Sequence, residues 1–197
     1  MPRRYLCGYL LLLCQLCVYQ TSARARPTEP ANPQVYRNQA SGFCYTILYG
    51  WVDRTKEMGE GPEGADGGKP HSRVLLAVFE RPPQAQSSEL NSAVIIASEP
   101  VTAYQGLKTA ADYFGPLAEV TSAHGLNMQG EPYDVVISNR HLARGDFSKQ
   151  VAKTTIYQST LVLLDKGSVL SFTFIAENPE RVSNLIENLQ FGACRKS

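Results

Sequence analysis

Apolar residues recur along this chain with two different periods. Phe43, Tyr45 and Ile47 alternate with Cys44, Thr46 and Leu48, a half-buried strand signature that Tyr49-Gly50-Trp51 closes. Val74 to Phe79 is a short apolar run between Arg73 and Glu80-Arg81-Pro82-Pro83, and Ala93 to Ala97 is β-branched at its centre. Both read as strands. Helical spacing then takes over. Leu107, Ala110, Ala111 and Phe114 recur at three and four, with Lys108 and Asp112 on the other side. Gly115-Pro116 interrupts this helix, Pro116 fits the first position of a new turn, and His124-Gly125 ends it.

Alternation returns at Tyr133, Val135 and Ile137. The run from Ile156 to Leu164 is joined by Asp165-Lys166-Gly167 to a returning strand from Val169 to Ala176, with Gly167 free to take the positive φ of a tight hairpin. Asn178 as cap and Pro179 at the first helical position open a last helix, whose packing face is Val182, Leu185, Ile186 and Leu189. These elements predict an α+β domain: an antiparallel sheet of about six strands, with two main helices burying their stripes against one side of it.

The ends and gaps are of different material. Arg3 and Arg4 precede an apolar run from Leu6 to Val18, and Ala23-Arg24-Ala25 supplies a small-x-small site. Residues 1–25 therefore read as a secretory signal peptide cleaved after Ala25, and the run is short for a membrane span. Residues 26–35 are polar and Pro-rich and read as a flexible linker, which leaves 36–197 as one domain. Residues 56–70 carry Gly59, Gly61, Gly64, Gly67 and Gly68 among acids, and read as a mobile loop between strands. They do not form a phosphate loop, because no Gly-Lys-Ser/Thr follows and the acids repel phosphate.

Removing the leader takes away Arg3, Arg4 and Arg24, and moves the formal charge from +1 to −2. No basic face for nucleic acid is expected of such a chain, and no membrane span is expected in its mature part. Cys7, Cys14 and Cys17 lie in the leader, so Cys44 and Cys194 are the mature cysteines. In an oxidising compartment the pair suggests one disulfide, against the alternative of two buried thiols that never meet. Secreted or periplasmic localisation follows from the same reading.

Candidate chemistry is sparse. His71, His124 and His141 have no His or Cys at ligand spacing, so no metal site and no cofactor is expected. No Gly-x-Ser-x-Gly occurs. The stretch from Asn139 to Phe147 is the most suggestive. His141 and Asp146 suit a base and its orienter, while Arg140 and Arg144 suit a carboxylate or phosphate. The plainer reading is a solvated strand end or turn. Trp51, the single tryptophan, reads as core before ligand platform, with a pocket shared by Trp51, Arg140 and His141 as the alternative.

Three stretches together resemble the Mog1/PsbP-like superfamily, in its small exported bacterial members. They are Ser41-Gly42-Phe43 through Gly50-Trp51, Tyr133 through Phe147, and Tyr157 through Ala176 followed by Pro179 through Leu189 and Phe191. The resemblance implies an antiparallel sheet with helices in a layered sandwich. Functions in that superfamily diverge, from binding a small GTPase to supporting a photosynthetic complex, and no catalytic residue maps onto this chain. The sequence therefore favours a non-enzymatic binding or accessory module, whose partner is an envelope protein or a small molecule. One rival is a hydrolase using His141 and Asp146 with Arg140 and Arg144 as anion binders. The other is a structural envelope component.

Overall fold

The computed structural model describes residues 34–59, 72–82 and 90–194. The expected signal peptide, most of the linker and most of the Gly-rich loop lie outside the described residues. In chain order the elements are β1 (Gln34–Asn38), β2 (Phe43–Ile47), β3 (Val52–Asp53), α1 (Thr55–Gly59), β4 (Arg73–Phe79), β5 (Ala93–Pro100), α2 (Phe114–Ala123), β6 (Asn127–Met128), β7 (Tyr133–Ile137), β8 (Arg140–Val151), β9 (Thr154–Asp165), β10 (Ser168–Ala176), α3 (Pro179–Ile186) and β11 (Leu189–Phe191).

The class is α+β, as expected, but there are two sheets. The large one has eight strands, with β3-β4-β5-β10-β9-β8-β6 in line and β7 beside β6 on the outer edge of β8. A small sheet of three strands has the order β1-β2-β11. Every pairing is antiparallel. The backbone of β9 shows the layering, because consecutive strand residues face opposite ways. Leu161 joins the core that holds Phe43, Tyr45, Phe172, Phe174, Val182, Leu185 and Phe191. Val162, its neighbour, joins Tyr113, Phe114, Ala143, Phe147 and Val169. The small sheet and α3 thus cover one face of the large sheet, and α2 covers the other. The two helices sit on opposite faces rather than on one.

Four local expectations change. Residues 56–59, read as the start of the mobile loop, belong to the short helix α1, where the Thr55 N–H and hydroxyl are both held by Asp53 Oδ1. Gln34 and Val35, read as linker, pair with Ile47 and Thr46 in β1. The helix expected from Leu107 begins only at Phe114, after a single 3-10 turn at Ala111–Tyr113. The cause is local: the Asp112 carboxylate accepts the N–H groups of Lys108 (2.9 Å) and Thr109 (2.7 Å), which holds the chain in a turn. Leu107 and Ala110 still pack beside α2, from this turn. Pro116 sits in the first turn of α2, where its missing N–H is harmless. Lastly, the polar stretch from Arg140 to Phe147, read as a strand end or turn, belongs to the 12-residue strand β8.

The cap of α3 is as expected: the Asn178 side chain accepts from the Arg181 N–H at 2.8 Å. So is the β9–β10 hairpin, whose turn places Lys166 and Gly167 at φ 49° and 81°. Cys44 and Cys194 are joined by a disulfide, with Cα atoms 6.0 Å apart. It ties β2 to the chain just after β11. Trp51 is half-buried and packs on the larger core.

Candidate functional site

The middle of β8 builds a polar cluster. Leu142, Arg144 and Asp146 share one face of the strand, and Ala143, Gly145 and Phe147 share the other. The second face is filled by α2, tightly enough that a Cβ on Gly145 would fall 2.5 Å from Cδ1 of Phe114. The first face looks toward α3. There Arg144 stands opposite Tyr133 of β7, and Asp146 opposite Ser159 of β9.

These side chains close on one another. Arg144 Nε donates to Asp146 Oδ1 at 2.9 Å, and its Nη2 donates to Ser159 Oγ at 3.0 Å. The Tyr133 hydroxyl donates to Asp146 Oδ2 at 2.8 Å, and the Ser159 hydroxyl donates to Asp146 Oδ1. The Arg144 guanidinium lies over the Tyr133 ring, 5.7 Å from its centroid. Partial burial, and then the bond to Asp146, hold the Tyr133 hydroxyl above its ordinary pKa. The ion pair is about a quarter exposed, at 21% for Arg144 and 29% for Asp146.

Arg144, Asp146 and Ser159 of this cluster form a wall of a cleft of about 250 Å³, closed by Gln129, Tyr157 and Gln158 and by Pro179 and Val182 of α3. Asp146 has both oxygens engaged, while Arg144 keeps Nη1 free of any partner among the described residues. The cleft therefore presents one oriented guanidinium edge, amide and phenol groups, and an apolar floor. That suits recognition of a carbonyl or carboxylate.

Of the residues singled out in sequence, Arg144 and Asp146 meet in this cleft. His141 does not join them, because it is five positions from Asp146 on the same strand and points to the opposite face, exposed. Arg140 shares the face of Arg144 but is exposed and about 13 Å along the strand. Trp51 precedes β3 at the far edge of the large sheet, five strand intervals (about 24 Å) from β8. The structure gathers neither a base pair of His141 and Asp146 nor a pocket of Trp51, Arg140 and His141.

Ser159 and Gln129 have no signal in the sequence, and Tyr133 and Tyr157 read there as half-buried sheet tyrosines of a kind also suited to interfaces. One signal pointed to Tyr133. Ser138-Asn139 adopts left-handed backbone, φ 47° and 62°, as a two-residue hairpin turn between alternating runs. Seen as such, it fixes Ile137 against Arg140 and hence Tyr133 against Arg144.

On the α2 face a second polar cluster is structural. Tyr104 and Tyr113 both donate to Oε2 of Glu99, the latter at 3.1 Å, with their rings edge to face. Burial, and then the Glu99 charge, push the Tyr113 hydroxyl up to about 12. Among the described residues no three His, Cys, Asp or Glu side chains converge to hold a metal ion, and no helix is long and apolar enough to cross a membrane.

No protein-family model matches the sequence, and no curated protein matches it. Solved structures do resemble it. The solution structure of cyanobacterial PsbP (CyanoP) from Synechocystis is similar over 80% of this chain and 91% of its own, with a TM-score of 0.50 and 14% identity. LpqN of Mycobacterium tuberculosis, involved in cell envelope biogenesis, is similar over 82% of this chain and 92% of its own, with a TM-score of 0.41 and 13% identity. At such identities the likeness is one of fold, and function does not travel with it. With its single large antiparallel sheet layered between α2 and the α3 face, the chain has the Mog1/PsbP-like fold.

Proposed function

We propose that this chain is an exported, non-enzymatic binding or accessory module, working in the periplasm or outside the cell on an envelope protein or a small molecule. The carrying observation is the cleft at Arg144, Asp146 and Ser159, with Tyr133 bonded to Asp146 beside it. Its charges are balanced and its polar groups are oriented before anything binds, which lowers the ordering cost of recognition. The same groups are poorly arranged for reaction. Asp146 is committed to three donors, and among the described residues no histidine or lysine contacts Ser159 to accept its proton. The hydrolase reading needs His141 beside Asp146, and strand alternation sets them on opposite faces. The leader-like N-terminus and the Cys44–Cys194 bond support an oxidising compartment.

The test begins with the mature, oxidised protein, used to recover its partner from its own cell envelope for identification by mass spectrometry. Affinity for that partner is then compared among variants. Arg144→Ala removes the guanidinium, and Gln129→Trp fills the cleft without touching the network. Each is expected to weaken binding about tenfold or more. The double variant Arg140→Ala/His141→Ala is expected to bind as the wild type does. Unchanged affinity in both cleft variants would overturn the assignment.

A further inference from the structure

A second recess lies at the opposite end of the same sheet face. It measures about 210 Å³ and sits where the β9–β10 hairpin meets the turn between β1 and β2. Arg73 of β4, Ser98 of β5, Ser168 of β10, and Asp165 and Lys166 of the hairpin line it, with Ser41 from the turn. Lys166 Nζ donates to the Ala40 carbonyl at 2.5 Å, which fastens the turn over the hairpin.

Asp165 Oδ2 is fully buried and has no hydrogen-bond partner among the described residues. That is costly for a carboxylate oxygen unless something donates to it. Arg73 lines the same recess, yet no ion pair joins it to Asp165. Register explains the gap. Arg73 stands opposite Ser98, Ser98 opposite Leu170, and Leu170 opposite Leu163 on the strand that carries Asp165. Three strand intervals and a two-residue offset along β9, about 16 Å between backbones, separate the two charges. An arginine and an aspartate reaching toward each other leave room between them for a small molecule, not for a direct bond.

We propose that this recess binds a small zwitterion of the amino-acid class, its ammonium donating to Asp165 and its carboxylate meeting Arg73 and the Ser98 and Ser168 hydroxyls. Charge supports both ends. The buried Asp165 oxygen calls for a donor and Arg73 for an acceptor, so a molecule carrying both an ammonium and a carboxylate meets a partner at each end. Size supports the class. The volume is below the roughly 300 Å³ at which drug-sized pockets begin, so the occupant has few heavy atoms. The site is separate from the Arg144 cleft and does not depend on it.

The experiment is an amide NMR titration of the oxidised full domain with glycine, L-alanine, methylamine and acetate. Glycine and L-alanine are expected to shift the amides of Ala40, Ser41, Ser98 and Asp165 to Ser168. Methylamine and acetate, each carrying one end only, are expected to bind about tenfold more weakly or worse. Asp165→Asn should abolish the shifts and Arg73→Ala should weaken binding about tenfold, whereas Arg144→Ala should leave it unchanged. Arg73 is exposed, so its variant decides the matter should Asp165→Asn fail to fold. The proposal is overturned by an absence of shifts at about 20 mM zwitterion, by methylamine binding as tightly as glycine, or by Arg73→Ala binding as the wild type does.

Discussion

Replacing both Cys44 and Cys194 by alanine tests how much of this fold depends on its covalent closure. The bond spans 150 residues of sequence, nearly the whole described domain. In the chain-entropy account, a loop of that size removes about 5 kcal/mol of freedom from the unfolded chain. The native contacts around it are otherwise kept. β2 and β11 pair through Tyr45 and Leu189, Cys44 and Gln190, and Phe43 and Phe191, and those backbone bonds survive the substitution. Nearly all of the expected loss therefore acts through the unfolded state. With a urea m value of about 2 kcal/mol/M, the midpoint should fall by about 2.5 M. Trp51, half-buried against the core, reports the transition by its emission. Reduction of the wild type with dithiothreitol should reproduce the variant. A midpoint change under about 0.5 M, or about 1 kcal/mol, would refute the reasoning, because it would mean the long loop is not closed in solution.

Two further outcomes follow from the α2 side of the sheet. Gly145→Ala drives a Cβ into the ring of Phe114, which is 1% exposed and has nowhere to move. It should cost about 1–3 kcal/mol by the same urea assay, and a neutral result would show that α2 is not seated on β8. Tyr113 titrates at about 12 in the fold, against an ordinary value of 10.0. Its neutral form is favoured by folding, so the stability it contributes is complete below pH 10 and is lost as pH rises toward 12. Urea midpoints measured from pH 9 to 12 should decline through that window and decline less steeply in Tyr113→Phe; equal slopes would remove Tyr113 from the account.

Elements that obey a single local rule were legible in the sequence. The β9–β10 hairpin needed only two alternating runs and a Gly-containing turn, and α3 needed only Asn178-Pro179 ahead of an apolar stripe. β8 was illegible for a physical reason. Its face toward α3 carries Arg144 and Asp146, whose charges are accommodated in mid-sheet because they pair with each other and with Tyr133 and Ser159, which stand opposite them. That compensation comes from two other strands, and the local sequence does not contain it. The same holds for the candidate cleft: Arg144 and Asp146 were picked out by type, but their partners are set by register. The α2 boundary failed differently. Leu107 and Ala110 are partly buried, yet the Asp112 carboxylate binds the Lys108 and Thr109 N–H groups and holds this segment in a local turn instead of a helix.

The order β1-β2-β11 has a consequence for how the domain is assembled. The earliest described strands share a sheet with the last, and Phe191 completes an aromatic trio with Phe43 and Phe172 at centroid separations of 6.2 and 5.9 Å. Until β11 arrives, β2 has one edge without its strand, and the core beneath it is open. A nascent chain thus cannot reach its native state piecemeal from the front. It must wait for its final segment, and a chain stopped after Ile186 would be an aggregation-prone intermediate rather than a smaller working domain.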